Sequence, residues 1–280
     1  MKNILVPTDF SENARKAIDY AANLAMRCGS TLHVVHCFHL LENIFITRPT
    51  MRDAYNKQQQ EEKTAALLRE QQNLQEHYKS LQCEIHLFTG PADMVFTKYA
   101  NEKGIELIVM GTQGASGLAE VIMGSFTASI IEKSSIPVLA IPAGYKAMEP
   151  EQLLLATRDF DQDVSVLGSV FDLAAIYDVP VHVFAFESDM DADQEIAEKT
   201  HGLEDYLKFL QKEFPLARLK GILHEDEDFE FAIEDYIAEN NIGLVCMLTH
   251  KRGFWGKLFN PSLTKKMAFH TTIPLLAIPC

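Results

Sequence analysis

Residues 109–125 read VMGTQGASGLAEVIMGS, and residues 246–262 read CMLTHKRGFWGKLFNPS. The first stretch holds Gly111, Gly114, Gly117 and Gly124, with Ser125 directly after. At the matching places the second has Leu248, Lys251 and Pro261. Each follows an apolar run and leads to a closing strand, IPVLAIP at 136–142 and IPLLAIP at 273–279. Nearer the starts, ILVPTDF at 4–10 resembles LLATRDF at 154–160. One fold is written twice, and its glycine loop is kept once. Repetition at this length implies two similar domains rather than a solenoid, whose periods are shorter. We place them at 1–145 and 151–280, joined through AGYKAMEPE at 143–151.

Outward from the loop, short apolar runs alternate with helical patterns. Ile4-Leu5-Val6 is a buried strand ended by Pro7. Ser11 caps the next helix, Ala14, Ala17, Ile18, Ala21, Leu24, Ala25 and Cys28 recur at helical spacing, and Gly29 ends it. Thr31–Phe38 is a second strand, 52–80 a long and mostly exposed helix, 83–88 a third strand, and 91–103 a helix with Pro91 at its start. Leu107–Met110, a helix over 118–133 and a strand over 137–141 complete the copy. The second copy repeats the order with strands at 153–156, 181–186, 217–223, 244–248 and 274–278, and helices at 162–177, 191–213, 229–240 and 261–269. Strands apolar throughout and alternating with helices predict α/β domains, doubly wound, each with a mostly parallel five-stranded sheet. Sheets of this type bind ligands beyond the carboxyl ends of their strands.

The bulk composition narrows the partners. A formal charge of −14 argues against nucleic acid or an anionic membrane. It leaves room for a small anion, because a few backbone N–H groups at a helix start hold phosphate locally. There is no 18-residue uncharged apolar run, and the N-terminal residues lack a signal-peptide pattern, so cytoplasmic residence is the expectation. Cys28, Cys37, Cys83, Cys246 and Cys280 form no CxxC pair and read as reduced thiols.

Two explanations of the glycines stand at this point: turn geometry and close approach of a ligand. Gly124 lies within or beside the helix expected from Leu118, and a glycine interrupting such a helix would cost roughly 1 kcal/mol relative to alanine. Phosphate contact or tight helix–sheet packing would each account for it. Ser125 and Thr127 add hydroxyl donors. No GK[ST] follows, so the loop is not a P-loop, and its spacing does not fit the dinucleotide fingerprint.

The pattern G-x2-G-x9-G-[ST], met by Gly111, Gly114, Gly124 and Ser125, resembles the ATP-binding motif of the universal stress protein family. The opening ILVPTDFSENA and the closing IPVLAIP resemble that family too, and the similarity extends to both halves. The resemblance implies a Rossmann-like fold of the adenine nucleotide alpha hydrolase type in each domain. It implies pairing through last strands, so that the two domains of one chain form the pair that separate subunits form elsewhere. A further homodimer stays open. The implied ligand is ATP or another adenine nucleotide, with magnesium as an accompanying ion.

Carried onto this chain, the family's site takes in Pro7, Thr8 and Asp9 after the first strand, with Asp9 toward ribose or base. Val35 lies near the adenine, beside His36 and Cys37. Met110, Gly111, Gln113 and Gly114 border ribose and phosphates, while Gly124, Ser125, Phe126 and Thr127 enclose the phosphate tail. Asp9 also reads as an Asx turn or cap before Ser11, which is compatible with a ligand contact. His36 reads as a packed strand residue, since no Asp, Glu or His partner has a ligand spacing relative to it.

In the second copy Asp159 is retained, but Lys251, Arg252 and Pro261 replace the glycine geometry. Phe254, Trp255, Leu258 and Phe259 fill the vacated cavity, line another site or make an interface. The run HEDEDFE at 224–230 reads as a solvated loop and helix start. No catalytic set emerges: Ser11, Ser125 and Ser262 lack a nucleophile elbow. The expected function is adenine-nucleotide binding in stress response or regulation, with a single site. The alternatives are a slow ATPase and a nucleotide-free interaction module, whose contacts would be the 52–80 helix and the 254–259 cluster.

Overall fold

The computed structural model describes residues 1–41, 49–112, 124–146, 149–157, 160–186, 193–224, 229–249 and 272–280. The chain divides into two compact units. The first contains β1 (Asn3–Pro7), α1 (Glu12–Cys28), β2 (Thr31–Phe38), α2 (Pro49–His77), β3 (Gln82–Thr89), α3 (Ala92–Lys103) and β4 (Leu107–Gly111), with Gly124–Ile130 of α4 (Ser125–Lys133). Its strands run in the order β3-β2-β1-β4 and pair in parallel, with Ile4 opposite Leu32 on one side and Leu107 on the other.

Ile4, Leu5, Val6 and Leu107–Met110 are buried on both faces, which is why these runs show no polar alternation. Helix α1 covers them with Ala14, Ala17, Ile18, Ala21, Leu24 and Ala25, all buried. Its ends follow the sequence. The Ser11 hydroxyl accepts from the Ala14 amide at 3.1 Å, and Gly29 takes the left-handed conformation at φ 67°. Helix α2 lies on the sheet through buried Leu67 and Leu74, while Leu68 is exposed.

The second unit contains β5 (Val138–Ile141), β6 (Leu153–Thr157), α5 (Val164–Tyr177), β7 (Val181–Phe186), α6 (Asp193–Glu213), β8 (Leu219–His224), α7 (Phe229–Glu239), β9 (Leu244–Thr249) and β10 (Leu275–Pro279). Its strands run β5-β10-β9-β6-β7-β8. All pairs are parallel except β5–β10, where Leu276 faces Leu139 in antiparallel register. The Asp163 carboxylate caps α5 by accepting from the Ser165 amide at 2.9 Å.

Helix α4 begins at Ser125, so Gly124 stands beside it rather than within it, and residues 118–123 of the expected helix lie outside the described residues. The segment expected as a linker is held by hydrogen bonds where it is described. Tyr145 donates its hydroxyl to the Gly243 carbonyl at 3.2 Å, and the Gln152 amide donates to Asn240 at 2.7 Å. A Cβ on Gly243 would come within 2.6 Å of Pro150 Cα, so only glycine permits that approach. The helix expected at 261–269 lies outside the described residues.

Candidate functional site

Strand β1 ends in Pro7 and passes into a tight turn over Thr8, Asp9 and Phe10. The Thr8 amide donates to the Val35 carbonyl at 2.8 Å, continuing the β1–β2 ladder by one rung. The Thr8 hydroxyl accepts from the Phe10 amide at 3.0 Å, and the Asp9 carboxylate accepts from the Ser11 amide at 3.0 Å. Asp9 therefore forms an Asx turn that hands the chain to the Ser11 cap, and it stands exposed at the carboxyl end of β1. Phe10 takes φ 66°, a conformation costly for an aromatic residue.

His36 holds that turn. It is buried, and its Nδ1 lies 2.6 Å from the Thr8 carbonyl. A carbonyl can only accept, so Nδ1 carries the proton and Nε2 is the lone-pair nitrogen. Burial pushes the His36 pKa down and keeps the ring neutral, with the Thr8 carbonyl acting in the opposite direction. The ring packs on Phe10 at 4.5 Å between centroids. Cys37 donates its thiol to the Gly90 carbonyl at 3.2 Å, and burial raises its pKa. All five cysteines are free thiols.

At the carboxyl end of β4, Met110 is buried and Gly111 is half-buried. Gly111 does not use the left-handed region. Its side chain is missing for another reason: a Cβ there would lie 2.9 Å from Asn13 Nδ2 and 3.0 Å from the Asn13 carbonyl of α1. The glycine lets the first turn of α1 close onto the end of β4. Sequence reading offered backbone angles or ligand approach for this residue, and Asn13 was missed.

Gly124 donates its amide to the Thr112 carbonyl, which ties the end of the loop to its beginning. The first i to i−4 bond of α4 runs from Ala128 to the Gly124 carbonyl at 3.0 Å. The amides of Ser125, Phe126 and Thr127 thus precede the helical ladder, in the part of a helix where N–H groups seek an outside acceptor. Ser125 and Phe126 are exposed. Thr127 is buried, and its hydroxyl donates to the Gly111 carbonyl at 2.9 Å. Its hydroxyl hydrogen is spent on fixing α4 against β4 rather than held out to an anion. Phe126 meets Phe96 edge-on at 6.1 Å.

The described part of the expected site therefore gathers at the carboxyl ends of neighbouring parallel strands: Pro7, Thr8 and Asp9 after β1, Val35 in β2, Met110 and Gly111 in β4, and Gly124–Thr127 at the start of α4. Gln113, Gly114 and Gly117 lie outside the described residues, as do Asp159, residues 250–262 of the second copy and 225–228 of the acidic run.

The model of the universal stress protein family matches residues 1–142, half of the chain. The chain belongs to the universal stress protein family. A universal stress protein of Methanocaldococcus jannaschii is 26% identical over 153 residues, which are 50% of this chain and 94% of that one. Universal stress protein YxiE of Bacillus subtilis is 28% identical over 145 residues, 49% of this chain and 97% of its own length. A solved universal stress protein from Archaeoglobus fulgidus superposes on 98% of this chain with a TM-score of 0.66 at 17% identity, covering 95% of its own length. That likeness extends the fold across both units of this universal stress protein. Among the described residues no helix is long and apolar enough to cross a membrane.

Proposed function

We propose that this universal stress protein binds one adenine nucleotide, ATP or a close relative, at the carboxyl ends of β1 and β4. The observation that carries the reading is the start of α4. Three consecutive amides, of Ser125, Phe126 and Thr127, stand before the first helical hydrogen bond and beside a β4 end whose last residue is glycine. Amides so placed favour phosphate, helped by the positive end of the helix dipole. The sequence motif adds Gln113 and Gly114 to the same wall, and Asp9 offers a carboxylate to ribose or base. Pro7, Thr8, Val35 and Met110 form the rigid floor.

Tandem domains at 1–145 and 151–280 account for the repeat, with the second lacking the glycine loop and therefore a nucleotide of its own. The antiparallel β5–β10 pair is the kind of contact that an internal pseudo-dimer requires. The role is stress response or regulation by nucleotide occupancy, within the cytoplasm, rather than turnover.

Titration calorimetry with ATP and AMP on the full chain, the Gly114→Asp variant and the Gly124→Pro variant tests this. We expect close to one nucleotide per wild-type chain and at least tenfold weaker binding in both variants. Absence of heat at millimolar ATP would overturn the proposal, and two nucleotides per chain would overturn its single-site form.

A further inference from the structure

We propose that His33, Glu84 and His86 form a binding site for a divalent transition cation of the zinc type, separate from the nucleotide site. The three come from neighbouring strands. His33 of β2 stands directly opposite Glu84 of β3, and His86 lies two residues further on the same face of β3. One ligand atom from each residue lies within 4.8 Å of the other two. Glu84 Oε2 is 3.6 Å from His33 Nδ1 and 3.2 Å from His86 Nε2. Two donors about 2.1 Å from a tetrahedral ion stand about 3.4 Å apart, so both spacings suit a shared ion.

The proton on His33 also fits, while His86 Nε2, which donates to the Glu84 carboxylate at 3.2 Å, gives up its proton when an ion binds. Asn3 Nδ2 donates to the Lys103 carbonyl at 3.0 Å, which turns Asn3 Oδ1 toward His33. Oδ1 is 3.2 Å from His33 Nε2 and can only accept, so Nε2 carries the hydrogen. His33 Nδ1 is left with its lone pair directed to the cluster. A ring nitrogen that holds its proton on a second-layer acceptor while the other faces the ion is the usual arrangement of a metal-binding histidine. Here Asn3 is that acceptor.

Two further hydrogen-bond donors stand at the site. The Tyr99 hydroxyl is 2.8 Å from His33 Nδ1, and the Lys103 ammonium is 3.1 Å from Glu84 Oε2. A cation would replace both. Lys103 is a substantially exposed side chain at the end of α3 and can swing away, while partial exposure of Glu84 and His86 gives the ion a way in.

The second unit provides an internal comparison. It repeats the histidine–tyrosine pair, with His182 Nδ1 at 2.8 Å from the Tyr236 hydroxyl. Opposite His182, however, stands Lys220, and Ile222 follows two residues later. The scaffold therefore closes the same strand and helix without a carboxylate and a second histidine. Glu84 and His86 are additions peculiar to the first unit, and a ligand role explains both together.

The test is a titration of the nucleotide-free full chain with zinc chloride, followed by calorimetry and by the visible d–d bands of a cobalt(II) sample. We expect one ion per chain, at least tenfold weaker binding in Glu84→Gln and in His86→Ala, and tighter binding in Lys103→Met. X-ray absorption at the zinc edge on the wild-type chain should count two imidazoles and at least one oxygen donor. Zinc binding that is absent, or unchanged in both ligand variants, overturns the proposal. A first shell without two imidazoles overturns it as well, whether or not the variants fold.

Discussion

Gly111 shows how much one missing side chain decides. Its Cβ position is taken by Asn13, whose carbonyl belongs to the first turn of α1 and cannot move without moving the helix. Gly111→Ala should therefore destabilise the chain by about 1–3 kcal/mol, the usual range for overpacking, as read from denaturant unfolding. A change below a few tenths of a kcal/mol would show that Asn13 yields. At His36 the sign follows from burial, which lowers its folded pKa below the ordinary 6.5. The neutral ring is the form the fold holds. The stability it supports is complete above pH 6.5 and is lost as pH falls from there through the lower folded value. Nearby Lys63 deepens that loss and Asp9 opposes it. His36→Asn keeps a donor for the Thr8 carbonyl but cannot titrate. Between about pH 7.5 and about pH 5.5 its unfolding midpoint should fall less than that of the wild type. Equal slopes would place the acid sensitivity elsewhere. Phe10 and Phe160 both adopt positive φ, at 66° and 47°. Since only the first copy keeps the glycine loop, this strain belongs to the turn after a first strand rather than to nucleotide binding.

Helices and strands were the most legible level of the sequence. Strand β2 has the bounds its apolar run predicts, and α1 begins and ends where Ser11 and Gly29 announce. Removing that first cap, Ser11→Ala, should cost about 1 kcal/mol in the same unfolding measurement, because it strands the Ala14 amide. No loss would mean that the Asp9 turn alone fixes the helix start. Helix α4 was legible in part: Ser125–Lys133 falls inside the expected 118–133, but composition says nothing about where the first hydrogen bond closes. The site was readable to the same degree. Its glycines and Asp9 stand out by type and spacing, whereas the Thr127 bond to Gly111 and the Asn13 contact depend on how α4 and α1 approach β4. His33, Glu84 and His86 escaped for the same reason. Their proximity is created by strand register, and no spacing along the chain from 33 to 86 reveals it.

At the scale of the molecule, charge opposes the ligand we propose. A protein of net charge −14 repels a triphosphate at long range, while the neutral amides of α4 attract it only at contact. Raising monovalent salt shortens the Debye length to about 8 Å near 0.15 M and weakens the repulsion first. ATP should therefore bind equally well or somewhat faster in stopped-flow experiments as salt rises from a low value. A steep loss of affinity would show that lysine or arginine side chains hold the phosphates. The antiparallel meeting of β5 and β10 has a practical consequence. A shortened gene product stopping at residue 145 would carry β5 but not β10, leaving a row of backbone donors and acceptors without their mates. Such a fragment should pair with itself along that open border, and its elution volume would then report a dimer, whereas a monomeric fragment would show that the border is covered in another way.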